Sequence, residues 1–142
     1  MRILVVGAGG VGSAIAAIAQ HRSFYDHITV ADIDAQRGAR AIDRLAEPDR
    51  FSSTRIDASD QSAVRDLAHG MRADVIVNAT DPRFNMPIFD AAFDARCTYL
   101  DMALSLSKPH AKRPYHEVGV KLGDAQFAAD GRWRDAGLLA LV

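Results

Sequence analysis

The chain has 142 residues, 49% of them hydrophobic, and a net charge of −1, which suits about one domain with its own core. That balance gives no electrostatic footprint for nucleic acid or an anionic membrane. One cysteine, Cys97, excludes an intrachain disulfide, and no apolar run is long enough for a membrane span, so the chain reads as soluble and cytoplasmic.

In chain order, Arg2-Ile3-Leu4-Val5-Val6 is an apolar, β-branched run that predicts a strand buried on both faces. It enters Gly7-Ala8-Gly9-Gly10-Val11-Gly12, a G-x-G-x-x-G match, and then a helix from Ser13 to Ala19. His27 to Ala31 predicts the second strand, closed by Asp32. Asp34 suits the N-cap of a helix running to about Leu45, with Arg37, Arg40 and Arg44 on its wetter side. A short strand over 53–56 precedes the turn Asp57-Ala58-Ser59. Asp60 then caps a helix to His69, stopped by Gly70. Strands are expected at 74–78 and 98–101, with a helix from Asn85 to Ala95 between them. After a polar loop over 105–114, one long helix is expected from Tyr115 to Ala136. Gly137 stops it, and an apolar strand follows over 138–142.

Strand and helix alternating in this way imply an α/β doubly wound parallel sheet of the Rossmann type, in the order 3-2-1-4-5-6. Right-handed crossovers put the strand C-terminal ends on one edge, which gathers Gly7, Asp32, Asp57, Asn78 and Asp101. A dinucleotide pyrophosphate needs that strand, glycine turn and helix: Gly7 makes the turn, Gly9 lets backbone approach the phosphates, and Gly12 lets helix and strand lie close. Asp32 stands twenty residues beyond Gly12, where a carboxylate accepts the adenosine ribose hydroxyls. Residues 1–142 thus read as one dinucleotide-binding domain. A cofactor domain alone supplies half of an oxidoreductase site, so the expectation is a fragment of a longer two-domain chain whose substrate domain is missing.

The stretches Val5 to Gly12, Val30-Ala31-Asp32, Ile56 to Asp60, Asp74 to Ala79, Cys97 to Asp101 and Asp135 to Leu141 together resemble the N-terminal domain of the saccharopine dehydrogenase family. That family includes saccharopine and carboxynorspermidine dehydrogenases and reductases, and the resemblance spans Met1 to Val142. It implies that Gly7, Gly9, Gly10, Val11 and Gly12 surround the pyrophosphate, with Asp32 and Ile33 at the adenosine ribose. It further implies Asp57 and Ala58 at the adenine, the Asn78-Ala79-Thr80 turn beneath the nicotinamide-side ribose, and Asp101 near the nicotinamide. Met102 stands where the family often has Thr or Ser, which removes a hydroxyl. No catalytic residue is named, because the family's substrate residues lie mostly downstream.

Structural alternatives stand beside these roles. Asp57 and Asp101 also suit turns that bond their own backbone, and Asn78 suits a residue that satisfies the strand's end. Cys97 reads as a buried structural thiol. The five histidines lack metal-ligand spacing, so no metal is assigned. Lys108, His110, Lys112 and Arg113 read as a solvated basic loop. Repulsion between Asp32 and a 2′-phosphate favours NAD over NADP, with Arg37 and Arg40 able to soften it. The leading reading is an NAD(P)-dependent oxidoreductase acting on C–N bonds of amino-acid conjugates; its substrate is held by the missing domain, and a homodimer is left open. The alternative is a regulatory nucleotide-sensing module of the potassium-transport type.

Overall fold

The computed structural model describes all residues, Met1–Val142. Its strands are β1 (Arg2–Val6), β2 (His27–Asp32), β3 (Phe51–Arg55), β4 (Val75–Asn78), β5 (Thr98–Asp101) and β6 (Ala140–Leu141). They form one parallel sheet in the order β3-β2-β1-β4-β5-β6, as the alternation of strand and helix predicts.

The period of two along β1 builds both cores. Leu4 and Val6 enter a cluster with Ile76, Phe89, Tyr99 and Trp133, whereas Ile3 and Val5 enter another with Ile28, Val30 and Val77. Helices α1 (Gly10–Ala19) and α2 (Ala35–Ile42) cover the second cluster, and α3 (Gln61–Met71) and α4 (Asn85–Asp94) cover the first. Each fully buried aliphatic side chain here contributes about 1.5–3 kcal/mol relative to exposure. Both capping aspartates act as expected. Asp34 accepts from Gln36 N at 2.9 Å and Asp60 from Ala63 N at 3.0 Å.

Several boundaries differ. Strand β3 starts at Phe51, because that buried ring pairs with Ile28 and carries the strand two residues earlier. Helix α2 ends at Ile42. Helix α3 runs through Gly70 to Met71, and Arg72, not a glycine, takes the left-handed position with φ 55°. The bonds Ala73 N to Ala68 O and Arg72 N to His69 O close that end.

The long helix over 115–136 does not form. Instead Lys108 and Val120 make an antiparallel bridge, Gly123 sits at φ 82°, and only α5 (Asp124–Phe127) and α6 (Asp130–Asp135) are helical. Tyr115 and Val118 are exposed, so the segment before Gly123 lacks the apolar face that would stabilise a helix by docking. Trp133 and Gln126 anchor this region: the Trp133 ring packs against Phe89 and Phe93 with ring centroids 4.8 and 5.4 Å away, and Gln126 is buried in the chain's polar network. Strand β6 is correspondingly short, and Leu141 on it and Leu139 just before it are about half exposed.

Candidate functional site

At the C-terminal end of β1 the chain turns through Gly7 at φ 104°. A Cβ there would stand 2.6 Å from the Ala79 carbonyl oxygen, and one at Gly12 would stand 1.8 Å from that of Gly7. Only glycine allows this turn to nest against both β4 and its own helix. Gly9 and Gly10 face open space instead. Helix α1 begins at Gly10 without a side-chain cap, so its first N–H groups are free for an anion.

A cavity of about 270 Å³ opens beside this turn, at the switch point between β1 and β4. Gly7 and Gly9 form one wall, and Asp32, Ile33 and Arg37 another. Asp57 and Ala58 flank one end; Ala79, Thr80, Asp81 and Phe84 close the other. The carboxylate of Asp32 is held rigidly, accepting from Ala8 N at 2.8 Å and Asp34 N at 2.9 Å. Each oxygen keeps a second lone pair for a ligand hydroxyl. Asp34 lies 4.0 Å from Arg37 Nε and 3.8 Å from Arg40, which draws both guanidinium groups toward the α2 cap. These residues fit a dinucleotide: bare backbone and a helix terminus for the diphosphate, a fixed acid for a ribose.

Asp57 makes the turn that bonds its own backbone and also lines the cavity. It accepts from Ser59 N at 2.9 Å and Ser59 Oγ at 2.6 Å. The Ser59 hydroxyl and then its N–H hold the Asp57 carboxyl below its ordinary 3.8.

Asn78 and Asp101 lie elsewhere, inside a buried polar network. The amide of Asn78 donates to Asn85 Oδ1 at 2.7 Å and to the Tyr99 hydroxyl at 3.1 Å. Its oxygen accepts from Thr80 N and Oγ1 at 3.0 and 2.7 Å, which shapes the turn at the cavity's end. Tyr99 and Gln126 donate to Asp101 Oδ2 at 3.0 and 2.7 Å, and Asn85 donates to the Ala103 carbonyl. Burial pushes the Tyr99 hydroxyl well above its ordinary value, so it stays protonated and donates. Tyr99 and Asp101 sit two apart on one strand, a same-face spacing readable in sequence; the partnership with Gln126, from the irregular segment, is not.

Val11 and Gly10 are exposed at the helix start and Gly12 is buried, and none of the three lines the cavity. Cys97 is buried, donates to the Ala73 carbonyl at 3.1 Å, and is pushed up to about 11 by burial and then by Asp74, the reverse of an activated thiol. No helix is long and apolar enough to cross a membrane.

A family model for the saccharopine dehydrogenase NADP binding domain matches residues 3–141. Among curated proteins, carboxynorspermidine synthase of Vibrio cholerae is 26% identical over 150 residues, covering 100% of this chain and 35% of that protein. A Synechocystis carboxyaminopropylagmatine dehydrogenase is 27% identical over 141 residues, covering 99% of this chain and 33% of that one. The chain therefore spans about a third of the length of these curated relatives. Among solved structures, apo saccharopine dehydrogenase (L-Glu forming) from Saccharomyces cerevisiae superposes with a TM-score of 0.68 at 16% identity. That match covers 98% of this chain and 26% of the other, and at this identity it speaks to the fold.

Proposed function

The chain belongs to the saccharopine dehydrogenase NADP binding domain family, and on that premise we propose that it is the cofactor-binding part of an NAD(P)-dependent oxidoreductase acting on C–N bonds of amino-acid conjugates. The observation that carries the reading is a single cavity in which the Gly7–Gly9 backbone and the Asp32 carboxylate face each other. Its relatives named for carboxynorspermidine and carboxyaminopropylagmatine chemistry support the substrate class, and they favour this reading over a potassium-transport sensing module.

The α1 N-terminus and Gly9, with Gly10, Val11 and Gly12 behind it, hold the diphosphate through N–H groups. Asp32 and Ile33 seat the adenosine ribose, and Asp57 and Ala58 border the adenine. Asn78 holds Ala79 and Thr80 in the turn beneath the nicotinamide-side ribose. Asp101 acts through the network that supports this turn, because its bonded oxygen is already shared by Tyr99 and Gln126. A bound nicotinamide supplies or accepts the hydride, and the protein positions it.

NAD is preferred over NADP in this reading. Asp32 is fixed by two backbone donors and cannot swing away from a 2′-phosphate, whereas Arg37 and Arg40 are drawn toward Asp34. Calorimetric titration of the chain with NADH and NADPH tests both statements. NADH is expected to bind more tightly, by roughly tenfold or about 1.4 kcal/mol. Tighter NADPH overturns the selectivity, and no heat with either overturns the cofactor role.

A further inference from the structure

We propose that a second cleft, on the far side of the 79–84 turn from the cofactor cavity, binds the carboxylate of an aliphatic amino-acid substrate. The inference rests on the oxidoreductase reading above and assigns substrate contacts to this domain itself. The cleft encloses about 340 Å³ and carries two cations, Arg83 and Lys108, beside Ser105. Met86, Leu106 and Val120 supply its apolar surface.

Three observations point to a ligand with an acid head and an aliphatic stem. First, the cations are incompletely used. Arg83 spends its Nε on Asp81 at 2.9 Å, which leaves its terminal N–H groups, and Lys108 has no carboxylate within ion-pairing distance. Second, Ser105 is 7% exposed and its Oγ has no hydrogen-bond partner, although its N–H is held by Gln126 Oε1 at 2.7 Å. An orphaned buried hydroxyl is destabilising until it finds a partner, and rotation about χ1 turns it to a carboxylate oxygen in the cleft. Third, the cleft is braced on both sides. The Lys108 backbone exchanges bonds of 2.9 and 2.8 Å with Val120, and Arg83 follows Asp81 and Pro82 on the turn whose other side lines the cofactor cavity. A carboxylate held here lies one turn of backbone away from the cofactor. The apolar floor favours a carboxylate on a hydrocarbon stem over inorganic phosphate.

The test is a titration of the isotopically labelled chain, with and without saturating NADH, by glutarate, its neutral diamide glutaramide, and inorganic phosphate, followed by amide chemical shifts. Glutarate at millimolar concentration is expected to shift Arg83, Ser105, Leu106 and Lys108, while glutaramide does not. Lys108→Met is expected to weaken glutarate at least fivefold and Lys108→Arg to restore it, with NADH affinity unchanged within twofold. Equal shifts from glutaramide, phosphate binding more tightly than glutarate, no shift at these residues, or full glutarate affinity in Lys108→Met each overturns the proposal. Absence of NADH binding overturns the cofactor reading instead, and the titration without NADH reads the cleft independently.

Discussion

Gly9 and Gly12 lie three residues apart in the same motif, and alanine is expected to affect them in opposite ways. At Gly12 the new Cβ meets the Gly7 carbonyl oxygen at 1.8 Å, whereas ordinary contact begins at 3.4 Å, so α1 must withdraw from β1 by about 1.6 Å. Because Ala16 and Ala19 pack the same helix into the core, that withdrawal also opens packed contacts. Overpacking typically costs about 1–3 kcal/mol and occasionally more, and alanine returns up to about 1 kcal/mol of helix propensity. The net loss is on the order of 2 kcal/mol, or a fall of roughly 7 °C in melting temperature for a domain of this size. At Gly9 a Cβ meets nothing within 4 Å, so stability should stay within about 0.5 kcal/mol. The same Cβ stands between backbone and diphosphate, and NADH affinity should fall at least tenfold, about 1.4 kcal/mol. Denaturant melts and calorimetry on both variants decide this. The reasoning fails if Gly9→Ala is destabilised as much as Gly12→Ala, or if it binds NADH as the parent does.

Asn78→Ala removes the one acceptor shared by Thr80 N and Oγ1 and leaves Tyr99 and Asn85 short of a bond; a loss of roughly 3 kcal/mol is expected in urea unfolding, given about 1–3 kcal/mol per orphaned buried group. Arg72→Gly relieves a left-handed arginine and should stabilise by about 0.5–1 kcal/mol. Arg96→Gly should gain less, because Arg96, also left-handed, donates to the Ala136 carbonyl at 2.9 Å. The carboxyls of Asp57 and Asp81 are held below their ordinary 3.8, by Ser59 and by Arg83 respectively. A depressed folded value means their stabilisation is complete above the ordinary value and drains away as pH falls through the lower one. Carbon-detected titration should place both midpoints below 3.8, and either one above it contradicts the assigned bonds.

Sequence by itself determined the parallel sheet, its order and the opening turn. Those follow from local signals: continuous apolar, β-branched runs such as β1, capping residues such as Asp34 and Asp60, and glycines where backbone must come close. The same signals placed Asp32 and Asp57 on one edge, since the C-terminal end of a parallel strand fixes where its last side chain and the turn just after it lie. Tertiary structure alone decided the rest. Residues 115–122 carry no apolar stripe that settles helix against loop, so contact with Lys108 and the docking of Trp133 decided it. The left-handed turn at Arg72 was likewise imposed by bonds back to Ala68 and His69, which outweigh arginine's preference. Asn78 and Asp101 stand at strand ends just as Asp32 does, yet their side chains point into partners supplied by Asn85 and Gln126. Strand position is a property of the local chain, but the direction a polar group turns depends on which distant donor reaches it first.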